Sequence, residues 1–112
     1  MKITRTRLED YKGGWFIGAF HPTSWWSDKF EVSVKLHPKG EVWPRHYHAV
    51  ATEINCVIEG VVEIEGERYV KGDVFIVPPL YVMDPTFLED CTIVCVKTPS
   101  VIGDKYEVPR DS

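Results

Sequence analysis

Two histidines and a glutamate within eight residues are the first chemistry the chain offers. In WPRHYHAVATE (43–53) His46 and His48 stand two apart, and Glu53 follows five residues later. Side chains alternate across a strand, so both imidazoles point to one side and Tyr47 to the other. A single turn then returns the chain, and Glu53, at the start of the next strand, comes up beside them. Two neutral nitrogens and one carboxylate oxygen on one face make the 2-His-1-carboxylate set of non-haem Fe(II) sites, which also suits Mn, Ni or Zn. Without metal, the same residues are a polar strand and turn whose side chains only hydrogen-bond one another.

Such a face needs strands to carry it, and strand signals dominate the chain. In FEVSVKLH (30–37) Phe30, Val32, Val34 and Leu36 alternate with Glu31, Ser33, Lys35 and His37. That is the period of a half-buried strand, with His37 on its polar, surface side. HPKGE (37–41) reads as a turn. EINCVIEG (53–60), VVEIEG (61–66), ERYV (67–70) and DVFIVPP (73–79) follow as short strands punctuated by Gly60, Gly66 and Gly72. CTIVCVKT (91–98) is a further β-branched strand. Helical periodicity is nearly absent. Short strands with frequent turn signals predict an all-β sandwich or closed barrel.

Gly40, His46, His48, Glu53 and Gly60 stand at every fixed position and spacing of the first signature motif of the cupin superfamily. The chain resembles that family over roughly residues 30–97. The resemblance implies a cupin-like jelly-roll β-barrel with His46, His48 and Glu53 binding a metal inside it. The family's second motif is half present: Gly72 and Pro78 match, but Leu80 replaces its glycine, Met83 its histidine and Phe87 its asparagine. The usual fourth ligand is therefore missing, since a thioether is poor for Fe(II), Mn(II) or Zn(II) and better for Cu(I). Either three ligands remain, with water or substrate in the open positions, or the barrel binds a small molecule without metal. Parity extends the site. Glu53 shares its face with Asn55, and Tyr81 shares its face with Met83. Asn55, Tyr81 and Met83 are thus expected at the pocket as substrate contacts, with ordinary barrel filling as the alternative for each. Trp43, Arg45 and Tyr47 have the opposite parity and are expected to face outward or onto a dimer surface. His21, in a loop before a proline, reads as a surface residue. The resemblance also implies a homodimer, to whose partner sheet KITRTRL (2–8) could add a strand.

Composition bounds what else the chain does. Its 112 residues predict one domain, a barrel core over about 30–97 and a tail over 98–112. Net charge is −4, with basic residues spread rather than striped, which argues against nucleic acid as a partner. No apolar run approaches the roughly 18 residues of a membrane helix, and MKITRTRLEDYKGGW has no apolar signal region. The expectation is a cytoplasmic protein without membrane contact. Three cysteines, Cys56, Cys91 and Cys95, argue against a disulfide framework. Cys91 and Cys95 share one face of a strand and are read as buried thiols before a metal pair. Trp15, Trp25, Trp26 and Trp43 cluster in the first 45 residues and predict core and edge packing, or a ligand or dimer surface. The function expected is metal-dependent binding or conversion of a small oxygen-rich molecule, a sugar or keto acid, by isomerisation or dioxygenation. The tail TPSVIGDKYEV (98–108) resembles those of small cupin-like proteins and favours a carbohydrate. The alternative is a non-catalytic ligand-binding or structural β-module without metal.

Overall fold

The computed structural model describes residues 2–109, so Met1 and the last three positions of the tail lie outside the described residues. The strands are β1 (Trp15–Gly18), β2 (Trp25–Trp26), β3 (Glu31–His37), β4 (His46–Tyr47), β5 (Thr52–Glu59), β6 (Val61–Ile64), β7 (Glu67–Val70), β8 (Val74–Val77), β9 (Thr86–Phe87), β10 (Cys91–Thr98) and β11 (Tyr106–Glu107). The long strands lie where alternation and glycine punctuation place them. The two-residue strands carry no periodicity, and of them the sequence anticipates only β4, around His46 and His48; it does not anticipate β1. Residues 2–7 form no strand.

A six-stranded sheet in the order β2-β1-β3-β10-β5-β8 faces a three-stranded sheet, β7-β6-β9, and a two-stranded ladder, β11-β4. The all-β expectation is met, but these ladders, among the described residues, do not close into one continuous barrel. The centre of the large sheet is the antiparallel run of β3, β10 and β5, which sets Ser33 beside Cys95 and Cys95 beside Asn55. Val57, Val62, Ile64, Met83, Phe87, Cys91 and Ile93 pack between the sheets as the apolar core.

The phase of β3 is a correction to the sequence reading. Glu31, Ser33 and His37 are buried, whereas Leu36 is 69% exposed. Val34 and Leu36 look outward, toward a groove they share with Leu8 and Tyr11 of the N-terminal segment. Alternation determines that two sets of residues face apart; it does not determine which set is inside. Here the inside is a cavity that Ser33, Lys35 and His37 line.

Gly60 and Leu80 mark two tight places. Gly60 turns β5 into β6 at φ +88, and a Cβ there would lie 2.1 Å from the Asp90 carbonyl oxygen. Leu80 takes φ 71, a conformation bulky side chains rarely adopt. This is the position where the second motif has glycine, so the left-handed turn has persisted without the residue suited to it.

Candidate metal centre

β4, β5 and the turn between them bring His46, His48 and Glu53 into one cavity of about 160 Å³. That is below the roughly 300–1,000 Å³ of drug-sized pockets and suits a small metabolite. Both imidazoles are buried, with ring centroids 5.3 Å apart and planes at 78°. His46 Nδ1 lies 2.9 Å from the Pro44 carbonyl oxygen, and His48 Nδ1 lies 2.5 Å from that of Asp104. A carbonyl only accepts, so both Nδ1 atoms carry hydrogen and both Nε2 atoms present the other face of the ring. Backbone carbonyls orient metal-ligating histidines in this way.

His48 Nε2 lies 3.4 Å from Glu53 Oε2. Glu53 Oε1 accepts a hydrogen bond from the Cys95 thiol at 3.3 Å, while Oε2 is buried without a hydrogen-bond partner among the described residues. Burial alone would raise the Glu53 pKa. The close approach and charge of His48, then the Cys95 thiol and the Lys97 ammonium, outweigh burial and hold it at about 2. Burial pushes His46 below the usual imidazole value, against the bond to Pro44. Burial, then Glu53, pushes the Cys95 thiol well up, so it stays a protonated donor. The buried lone pairs of a carboxylate and an imidazole this close need a shared cation, either a proton or a metal. Two imidazoles and a carboxylate are donor types that a divalent metal accepts. Among the described residues, no group of three or more His, Cys, Asp and Glu stands at metal-holding distances.

The depressed carboxyl sets a pH dependence. A group with an ordinary value of 4.5 and a folded value of about 2 adds stability above pH 4.5 and loses it as pH falls toward 2. Acid unfolding followed by tryptophan fluorescence is expected to develop across that window. Glu53→Gln, which has no charge to lose, is expected to flatten it; an unchanged acid limb would show that Glu53 is not held as a carboxylate.

The remaining expected residues divide. Asn55 and Met83 line the cavity and are buried at 4% and 6% exposure, and Met83 bridges His46 through paired backbone hydrogen bonds. Tyr81 lies outside the cavity lining. Its hydroxyl bonds the Glu65 carboxylate, which raises its pKa, with burial adding to the shift. The shared-parity argument fails because residues 78–82 form a turn and open loop rather than a strand.

Trp43 and His37 are corrected in the opposite direction. Both line the cavity: Trp43 because residues 43–45 are not strand and carry no alternation past Pro44, and His37 because its face of β3 is the inner one. His37 stacks on Phe87 at 4.2 Å and pairs with Glu41 at 2.8 Å, and the same Glu41 oxygen accepts the Trp43 indole N–H. Arg45 and Tyr47 do point away, toward Asp84 and Tyr106 respectively. Trp25 and Trp26 are 69% and 54% exposed on the edge strand β2.

Asp104 was not legible from the sequence. It is buried, and its two carboxylate oxygens accept the backbone N–H groups of Ala49, Val50 and Ala51 at 2.9–3.2 Å. Burial would raise its pKa; these bonds, with the charge of His48, lower it. Asp104 thus fixes the turn between His48 and Glu53, and its own carbonyl orients His48. The only sequence signal was a Gly-Asp pair in a segment read as tail.

Comparison with solved structures places this architecture. The chain is similar to an uncharacterized conserved protein with a double-stranded β-helix domain from Klebsiella pneumoniae, at 22% identity and TM-score 0.66 over 75% of this chain and 74% of that one. It is similar to KdgF from Halomonas sp., at 26% identity and TM-score 0.59 over 67% and 74%. A sugar phosphate isomerase of the cupin superfamily from Silicibacter pomeroyi matches at 23% identity and TM-score 0.57 over 74% and 59%. The fold is therefore that of the cupin superfamily, the double-stranded β-helix. No family model matches the sequence, and no curated protein matches it. No helix among the described residues is long and apolar enough to cross a membrane.

Proposed function

We propose that His46, His48 and Glu53 hold a divalent transition metal, Fe, Mn, Ni or Zn, and that the cavity binds and acts on a small oxygen-rich molecule such as a sugar or keto acid. The observation that carries this reading is the 3.4 Å contact of His48 Nε2 with an otherwise unpartnered Glu53 oxygen, with both histidines oriented through Nδ1. When bound, the metal would polarise a carbonyl or hydroxyl oxygen of the ligand. The chain's own residues do the rest. Asn55 Nδ2 and Ser33 Oγ are buried, unpartnered and at the cavity, so they offer hydrogen bonds to a bound oxygen. The apolar side, with Val62, Met83 and Phe87, keeps water from surrounding the ligand. Isomerisation is the favoured reaction type, as it asks only that a ligand be polarised and a proton moved; dioxygenation is the second. A non-catalytic binder is favoured by one observation, the loss of Tyr81 from the cavity as an acid.

The closed barrel and homodimer of the sequence reading belong to the same proposal. The outer face of the large sheet supports the dimer: Ile76 of β8 is 64% exposed, lies opposite Ile54 of β5 and has Val74, 63% exposed, on the same face.

Metal content tests the site. Untagged protein incubated with Fe(II), Mn(II), Ni(II) or Zn(II) and desalted is expected to retain near one equivalent of one metal by mass spectrometry. The His46→Ala, His48→Ala double variant is expected to retain none. Equal retention by native protein and variant, or none by either, overturns the assignment.

A further inference from the structure

The side of the cavity away from the apolar core carries three lysines from three separate stretches: Lys35 of β3, Lys97 of β10 and Lys105 before β11. Two half-buried indoles gather them. Lys35 Nζ lies 4.9 Å from the Trp43 ring centroid and 5.3 Å from that of Trp15. Lys97 Nζ lies 4.7 Å from Trp15, and Lys105 Nζ lies 4.6 Å from Trp43. Each ring thus bears two ammonium groups, an arrangement that cation–π attraction supports and mutual repulsion opposes.

Only one of these charges is balanced by a carboxylate at ion-pair distance among the described residues. Among the described residues, Lys97 pairs with Glu31 at 3.5 Å, while Lys35 and Lys105 have no carboxylate within ion-pair distance. At longer range Glu107 acts on Lys105, Glu41 on Lys35 and Glu53 on both, but the Glu53 carboxylate is already engaged by His48 and Cys95, and that of Glu41 by His37 and Trp43. Burial lowers the pKa of Lys35 and of Lys105, and neighbouring lysines lower each further. Trp43 is held by its indole N–H bond to Glu41, so one of the two platforms is anchored before any ligand arrives.

We propose that Lys35, Lys97 and Lys105, set on Trp15 and Trp43, form an anion-binding subsite, and that the cavity's ligand is a small organic anion bearing a carboxylate or phosphate. The anionic group sits among the three ammonium groups. The rest of the molecule reaches past Ser33 and Asn55 toward His46, His48 and Glu53. That second half rests on the metal-site reading above; the anion subsite does not. The subsite narrows the ligand class to acids and phosphate esters, and disfavours a neutral sugar, which would leave the cluster uncompensated.

Isothermal titration calorimetry on chelator-treated, metal-free protein tests the subsite. The probes are malonate, inorganic phosphate and neutral malonamide at low ionic strength. Malonate or phosphate is expected to bind saturably and to weaken as salt is raised, whereas malonamide should give no heat of binding. Binding by malonate alone assigns a carboxylate; binding by phosphate alone assigns a phosphate ester. The Lys35→Gln, Lys105→Gln double variant is expected to bind at least tenfold more weakly. Lys105→Gln alone, at an exposed position, gives a graded loss should the double variant unfold on heating earlier than the native chain. Because the titrated protein is metal-free, failure of the metal site leaves this result standing. No binding of either anion by native protein, or equal binding by the lysine variants, overturns the proposal.

Discussion

Asp104→Ala is expected to lower stability by about 3–5 kcal/mol and to weaken metal retention along with it. One carboxylate satisfies three consecutive backbone N–H groups, of Ala49, Val50 and Ala51. Hydrogen bonds to a charged group contribute roughly 1.5–3 kcal/mol each, and donors left buried without an acceptor add a desolvation penalty. The three bonds share one anion, so their contributions do not simply add. The turn they hold joins the two histidines to Glu53, and the Asp104 backbone carbonyl orients His48. Once the turn loosens, the spacing of His48 and Glu53 rests on the pairing of β5 with β8 and β10 and on the Leu80 bond to the His48 carbonyl alone. Denaturant unfolding of Asp104→Ala and Asp104→Asn checks this. The asparagine keeps one acceptor oxygen and is expected to fall between native and alanine. Amide hydrogen exchange at Ala49, Val50 and Ala51 is expected to accelerate in both variants. An alanine variant within about 1 kcal/mol of native, with these amides still protected, would mean that the turn stands without its anion.

The second large effect is expected at Gly60. A Cβ there would lie 2.1 Å from the Asp90 carbonyl oxygen and 2.7 Å from Cys91 Cα, both backbone atoms with little freedom to retreat, at φ +88. Left-handed strain alone costs on the order of 1 kcal/mol for alanine; the clash must also part β5 and β6 from the entry of β10. Gly60→Ala is therefore expected to cost more than about 4 kcal/mol, or to prevent accumulation of folded protein. Gly40 is the control. It has φ +80, but nothing lies within 4 Å of its Cβ position, so Gly40→Ala is expected to lose only about 1 kcal/mol. Leu80→Gly relieves a left-handed leucine at a 67% exposed position and is expected to gain a similar amount. Thermal unfolding of the three variants side by side checks the series. Equal losses at Gly60 and Gly40 would refute the close-approach argument.

Five glycine, histidine and glutamate positions at fixed spacing anticipated the fold through their resemblance to the cupin motif, and some have a physical cause in this structure. Gly60 is needed where β5 turns hard against the Asp90 backbone, and two histidines one residue apart on a strand must share a face. The long strands were legible because β-branched residues and alternation act over a few neighbours. Asn55 reaches the cavity by the same local rule, whereas Met83 is placed there by its bridge to His46. Tyr81 does not reach it, since the rule ends where the strand ends.

What the sequence by itself determined is periodicity and parity: which residues travel together on one side of β3, β5 and β10, and that His46, His48 and Glu53 share a side. What only the tertiary structure decided is phase and company. Alternation is symmetric under exchange of inside and outside, so β3 could place Leu36 in solvent and Ser33, Lys35 and His37 at the cavity without changing its pattern. Company is non-local. Asp104 meets the Ala49–Ala51 amides from more than fifty residues away, and Lys35, Lys97 and Lys105 converge on Trp15 and Trp43 from separate elements. No spacing along the chain encodes such meetings, because they are set by how the sheets pack.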